Sequence, residues 1–209
     1  MKSLWQTSRI LSRKILVVMN DYNVGIVYGT GCIVKENGKE YLVVRNLDSY
    51  YAKTIESEVP YGTFESKYNV DRDGKSQWCI KVRNVHMLPS LSEIENKDDF
   101  IRAYMELHAI LDWMNVKDRK GMKHKKLRLR IYGKEKIISW INDSLPAKNK
   151  KIQYIKNVVD TNYVGKTCCI YYQSKKEISD ILNWIDGKPR NEKVWCKWKE
   201  IINNGEESF

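Results

Sequence analysis

Hydrophobic and polar positions recur along this chain with two periods, and these sort it into strands and helices. The first half reads as a helix over Ser8–Tyr28, a strand from Cys32 to Glu36, an Asn37-Gly38 hairpin turn and a strand Lys39–Arg45. Asp48 can cap a helix over Ser49–Val59, because its side-chain oxygen can accept from a backbone N–H of the first turn. Strands Thr63–Asn69 and Gln77–Asn84 follow, joined by a turn at Asp73-Gly74. In the second of them Trp78, Ile80 and Val82 alternate with Gln77, Cys79, Lys81 and Arg83, as a half-buried strand requires.

The second half repeats this order. A helix over Asp99–Trp113 overlaps a strand near Ile110–Val116, then come a basic turn at Gly121 and a strand Lys125–Tyr132. Helix Lys134–Ser144 is stopped by Pro146, because proline cannot continue a helix. Strands Lys151–Asn157 and Lys166–Gln173 precede helix Lys175–Ile185, closed by Gly187, and a last helix Glu192–Asn203 carries Trp195 and Trp198. Each half is roughly αββαββα, which predicts an α+β protein with helices on one face of each antiparallel sheet. The polar, acidic stretch Pro89–Asp99 divides residues 1–92 from 93–209, with the last helix as an addition to the second half.

Composition narrows the class. Hydrophobic residues make up 42% of the 209, enough for an ordinary core. The longest strongly apolar run, Ile15–Met19, is too short to cross a membrane. The five cysteines, Cys32, Cys79, Cys168, Cys169 and Cys196, form no CxxC pair and are odd in number. That argues against a zinc ribbon or a disulfide framework and for a reducing compartment, read as cytoplasmic. The first 20 residues are basic and acid-free, superficially like a mitochondrial transit peptide, and are read as part of the first helix. No nucleotide-binding glycine motif, serine-nucleophile elbow or paired-histidine metal motif occurs, and no cofactor is expected.

Charge changes the picture further. The chain carries 37 Lys and Arg against 26 Asp and Glu, a net +11, and an excess of that size favours a polyanion partner. Almost all of it lies in the second half, net +10 over residues 101–209 against +1 over residues 1–100. The densest run, Lys117–Arg130, holds Lys117, Arg119, Lys120, Lys123, Lys125, Lys126, Arg128 and Arg130 with one acid, Asp118. It ends in strict alternation, Lys126-Leu127-Arg128-Leu129-Arg130-Ile131. A strand there turns three aliphatics to a core and three cations, about 7 Å apart, to the other side. Such a row suits a phosphate backbone or guanine edges. Lys150, Lys151, Lys156 and Lys166 are expected to add phosphate contacts. In the first half Lys35, Lys39, Arg45, Lys67, Lys81 and Arg83 would do so more sparsely. The strand aromatics Tyr41, Tyr68, Trp78, Tyr154, Tyr171 and Tyr172 are read as core, with stacking on single-stranded bases as the competing use.

The ends of the two first helices carry a repeat. The first runs Asn23-Val-Gly-Ile-Val-Tyr-Gly-Thr-Gly31 and the second Phe100-Ile-Arg-Ala-Tyr-Met-Glu-Leu-His-Ala109. Both resemble degenerate copies of the LAGLIDADG motif of homing endonucleases, 78 residues apart between Gly31 and Ala109. A Leu-Arg-Ile-Tyr-Gly strand end, Lys-Glu-Lys-Ile-Ile-Ser-Trp-Ile and Cys-Ile-Tyr-Tyr extend the resemblance over about residues 20–190. It implies a monomeric, pseudo-twofold saddle on double-stranded DNA. Gly25, Gly29 and Ala103 stand at the small positions where two helices cross closely, since bulkier side chains hold backbones apart.

The resemblance also implies an acid at the foot of each helix, binding divalent metal beside the scissile phosphates. Thr30 and His108 stand there instead. Threonine is neutral, and a histidine nitrogen is a poor ligand for a hard cation. No catalytic residue and no metal site are therefore expected, and Asp21, Glu106 and Asp112 remain as acids from which a displaced site could be built. The expectation is a sequence-specific duplex-DNA-binding protein that is not an enzyme, most plausibly a transcriptional regulator. The alternatives are an active or nicking homing endonuclease and a protein-interaction module. Abundant Lys and Asn fit an AT-rich source such as a phage.

Overall fold

The computed structural model describes residues 19–58, 64–70, 76–83, 88–155 and 167–204. Its elements run α1 Asp21–Thr30, β1 Gly31–Glu36, β2 Lys39–Asn46, α2 Ser49–Glu58, β3 Phe64–Val70 and β4 Ser76–Arg83. A 3-10 turn at Leu91–Glu93 leads to α3 Lys97–His108, β5 Ala109–Lys117, β6 Lys123–Lys134, α4 Glu135–Ser144, β7 Gln153–Tyr154, β8 Thr167–Tyr172, α5 Lys175–Trp184 and α6 Glu192–Asn204. The class is α+β, and the two sheets repeat one strand order, β1-β2-β4-β3 and β5-β6-β8-β7. Packing divides the chain into two units, Cys32–Leu88 and a second that joins Asn20–Gly31 to Pro89–Phe209, so α1 belongs with the second.

In the first unit the Asn37-Gly38 turn has positive φ at both residues, 50° and 73°, the backbone a tight two-residue hairpin needs. β2 pairs antiparallel with β4 so that Leu42 lies opposite Val82 and Val44 opposite Ile80. All four are buried with Tyr51, Ala52 and Ile55 of α2, which packs on both strands. Asp48 Oδ1 accepts from the Tyr50 N–H at 3.0 Å at the start of α2. In β4 the expected alternation holds for Ile80 and Val82 but not at its start: Trp78 is 37% exposed and Cys79 buried.

In the second unit, β5 and β6 form a long hairpin whose turn passes through Gly121 at φ 81°. Leu127, Leu129 and Ile131 are buried at 3%, 0% and 0% exposure, each contributing about 2 kcal/mol by leaving water. With Ile138 and Ile141 of α4 and Ile178 and Ile181 of α5 they form the core under the sheet.

Several sequence boundaries move. The helix expected to reach Trp113 ends at His108, because the chain enters β5 at once. There Leu111 and Trp113 join the core side of the sheet, and Trp113 Nε1 donates to the Ile201 carbonyl of α6 at 2.6 Å. α1 begins at Asp21, after the Asn20 side chain accepts from the Asn23 N–H at 2.8 Å; residues 1–18 of the expected helix lie outside the described residues, as does the Asp73-Gly74 turn. No α-helix closes the first half: after β4 the described residues show one 3-10 turn. The expected acidic linker is partly packed, with Leu91 and Ile94 buried.

Candidate nucleic-acid interface

Two features of the second unit bear on function, the crossing of α1 with α3 and the open face of the β5–β8 sheet.

The helix crossing depends on small residues. A Cβ added at Gly25 would collide with the Phe100 carbonyl oxygen and lie 2.9 Å from Ala103 Cβ. One at Gly29 would lie 2.7 Å from Leu107 Cδ1 and 3.2 Å from His108 Nε2. Gly25, Gly29 and Ala103 thus stand in the crossing, where backbone approaches this close admit no bulk.

At the feet of these helices the groups are neutral. Thr30 Oγ1 donates back to the Ile26 carbonyl at 3.3 Å, and His108 Nε2 lies 2.8 Å from the Gly29 carbonyl. A carbonyl oxygen only accepts, so Nε2 carries the proton. Burial lowers the His108 pKa, outweighing that hydrogen bond, and the ring is neutral at physiological pH. A threonine hydroxyl turned to its own helix and a protonated nitrogen do not suit Mg²⁺, which takes anionic or carbonyl oxygens. Among the described residues no group of three or more His, Cys, Asp or Glu side chains could hold a metal.

The three acids considered for a displaced site are committed elsewhere. Asp21 Oδ2, at the start of α1, accepts from the Asn96 N–H at 2.6 Å and the Glu95 N–H at 3.2 Å. Glu106 is 8% exposed and accepts from Trp195 Nε1 at 2.7 Å, Tyr22 Oη at 2.6 Å and the Asn191 N–H at 3.1 Å. Burial nevertheless raises its pKa, the hydrogen bonds opposing. Asp112 lies on the sheet face, held by two arginines.

That face is built by the alternation read in the sequence. Lys126, Arg128 and Arg130 project from β6 away from the buried aliphatics, and Lys126 is exposed while the arginines are partly covered. Asp112 of β5 is directly opposite Arg128 in the register. Arg128 Nε and Nη2 donate to its two carboxylate oxygens at 3.0 and 2.9 Å, and Arg130 Nη2 to Oδ2 at 2.7 Å. The hydrogen bond from Arg128 is the largest cause holding the Asp112 carboxyl below the usual range. A cavity of about 460 Å³ lies beside this cluster, lined among others by Arg128, Arg130, Tyr132, Tyr171, Gln153 and Gln173. A second, about 350 Å³, is lined by Lys126, Lys150, Lys151 and Tyr171.

The other cations predicted to contact DNA are unevenly placed. Lys117, Arg119, Lys120, Lys123 and Lys125 are exposed along the β5–β6 hairpin end. Lys150 Nζ is paired with Glu177 at 2.7 Å, and Lys151 is exposed. In the first unit Lys39 and Arg45 are exposed, Lys35 pairs with Glu40 at 3.2 Å, and Lys81 pairs with Glu36 and sits over the Tyr41 ring. The side chains of Lys67 and Arg83, and Lys156 and Lys166 altogether, lie outside the described residues, as does the Tyr68 side chain. Of the strand aromatics expected in the core, Tyr172 is buried, but Trp78 and Tyr154 are exposed at 37% and 49%. Tyr154 stands on the two-residue β7, where its hydroxyl donates to Glu135 Oε1 at 2.5 Å.

Asp112 as partner of both arginines is what sequence reasoning missed. The signal was present, since counting outward from a turn at Gly121 sets Asp112 opposite Arg128.

No protein-family model matches the chain, and no curated protein matches it. Solved structures do. I-AabMI, a LAGLIDADG meganuclease bound to uncleaved DNA, has a TM-score of 0.62 at 10% identity, over 90% of this chain and 91% of that one. The I-LtrWI LAGLIDADG homing endonuclease bound to target DNA has a TM-score of 0.60 at 14% identity, over 90% and 91%. I-DmoI, in complex with DNA and calcium, gives 0.53 at 13% identity, over 85% and 95%. The fold is that of the LAGLIDADG homing endonucleases. The sequence-based expectation of a non-enzyme is corrected by this likeness, because the structures sharing the fold are those of endonucleases. Neutral residues at the motif's acid positions suggested otherwise, but they say only that this pair is not two carboxylates. No helix among the described residues is long and apolar enough to cross a membrane.

Proposed function

We propose that this chain is a monomeric endonuclease of the homing-endonuclease class that acts on a double-stranded DNA site selected through the open face of β5, β6 and β8. The observation that carries this is the row Lys126, Arg128 and Arg130, backed by buried aliphatics, on a fold shared with DNA-bound endonucleases. The cations supply attraction to phosphates, and the arginines, with two tyrosines and two glutamines beside them, supply donors and acceptors for base edges. Thr30 and His108 give the cleavage step no carboxylate pair, and no step is assigned to a metal here.

The test combines a binding and a cleavage assay on genomic fragments with Mg²⁺ or Mn²⁺ across a salt series. Salt-sensitive binding with a discrete nick or break is expected. Absence of binding at low salt overturns the DNA reading. Binding with no cut in any fragment overturns the endonuclease reading and leaves duplex binding alone, as a regulator would show it.

A further inference from the structure

An acid sits in the middle of the cationic row. For a surface that only gathers phosphates this is unfavourable, since each anion subtracts from counterion release and repels the backbone. Asp112 is not a bystander to the row. Its register position faces Arg128, and both of its oxygens are taken by arginine donors.

The geometry of those bonds is informative. A guanidinium has five N–H donors in a rigid plane. Arg128 spends one on Nε and one on Nη2, both on the same carboxylate, which fixes the plane of the group. Its remaining N–H groups stay uncommitted, and its side chain keeps 24% exposure. Arg130 is held differently, by one bond from Nη2 and by the Tyr132 ring 5.8 Å away, while its buried Nε has no partner. The carboxylate, with both oxygens engaged, orients donors and is not itself free to read a base. A guanine edge presents two acceptors, O6 and N7, which a guanidinium of fixed plane meets bidentately.

Resting on the duplex-binding reading above, we propose that Asp112 is a specificity-determining positioning residue that sets the Arg128 guanidinium for guanine. It trades general affinity for discrimination at the base pairs facing β6. An unbraced arginine would swing between phosphates and bases, binding more DNA and choosing less among sequences.

The experiment is selection of bound sites from a randomised duplex pool by the wild type, Asp112→Asn, Asp112→Ala and Arg128→Lys, with affinity for unselected duplex measured alongside. The wild type is expected to enrich guanine at one or two adjacent positions. Both Asp112 variants should lose about tenfold of that preference while binding unselected duplex severalfold more tightly. Arg128→Lys, which keeps the charge but not the fork, should lose the same preference without the affinity gain. Unchanged preference with raised affinity would mean that the acid merely subtracts charge, and overturns the proposal. So does an unchanged Asp112 variant in both readouts. If Asp112→Ala does not fold, the near-isosteric Asp112→Asn and Arg128→Lys still decide. A wild type that binds no duplex is a different failure, and it removes the duplex-binding reading itself.

Discussion

Leu107 of α3 occupies the space that a side chain on Gly29 of α1 would need, with Cδ1 2.7 Å from where a Cβ at Gly29 would lie. The motif's usual small residue is replaced on one helix by leucine, and the glycine facing it leaves the room. Gly25 differs, because there the obstacle is the backbone oxygen of Phe100 rather than the end of a flexible side chain.

Gly25→Ala should therefore destabilise the fold far more than Gly29→Ala. Alanine gains about 1 kcal/mol over glycine within a helix, and at Gly29 that gain largely offsets a small displacement of Leu107. At Gly25 the helices must separate, at an expected net cost of about 2–3 kcal/mol. Urea unfolding of both variants and of Gly29→Ala with Leu107→Ala checks this. Equal costs at the two glycines would contradict it.

Glu106 should matter for stability and for its pH dependence. Glu106→Ala leaves Trp195 Nε1 and Tyr22 Oη without their partner, at about 3 kcal/mol. Glu106→Gln keeps an acceptor and removes the charge. Because burial raises the folded-state pKa of Glu106, the folded chain holds its proton more tightly than the unfolded one. Its favourable contribution is present below the unfolded value of about 4.3 and is lost as pH rises through the raised value. Stability of Glu106→Gln relative to the wild type should therefore climb as pH rises from 4 toward neutrality, measured by urea unfolding at each pH. A flat difference would contradict it.

Thiol reactivity should sort the five cysteines. Cys32 and Cys196 are exposed; Cys79, Cys168 and Cys169 are buried. Burial is the main cause that pushes the Cys168 thiol up to about 11, and it raises Cys169 as well. A chromogenic thiol reagent at pH 8 should titrate two groups rapidly in the native protein and all five after unfolding. Rapid modification of Cys168 in the native protein, read by mass spectrometry, would contradict the placement of β8.

Much of this was legible in the sequence, for local reasons. The alternation from Lys126 to Ile131, the Asn37-Gly38 turn and the spacing of Gly25 and Gly29 each encode geometry within a few residues. The end of α3 was not legible that way. Residues 109–113 carry apolar side chains compatible with either period, and pairing with Leu127, Leu129 and Ile131 across the hairpin decides for a strand. The exposure of Tyr154 was equally hidden, because it depends on β7 being a short edge strand. At the site, the cationic row was visible, but its central acid became part of it only once β5 and β6 were in register.

Binding of duplex DNA on the face of Lys126, Arg128 and Arg130 is tested most directly by a salt-resolved footprint of the wild type and of a variant with all three changed to alanine. The wild type should protect about 20 bp, roughly two helical turns, with log affinity falling linearly against log salt concentration. The triple variant should show a shallower slope, by about one unit for each phosphate that is no longer neutralised, and weaker protection. Equal footprints and slopes for the two proteins, or no protection by the wild type at low salt, would contradict the claim.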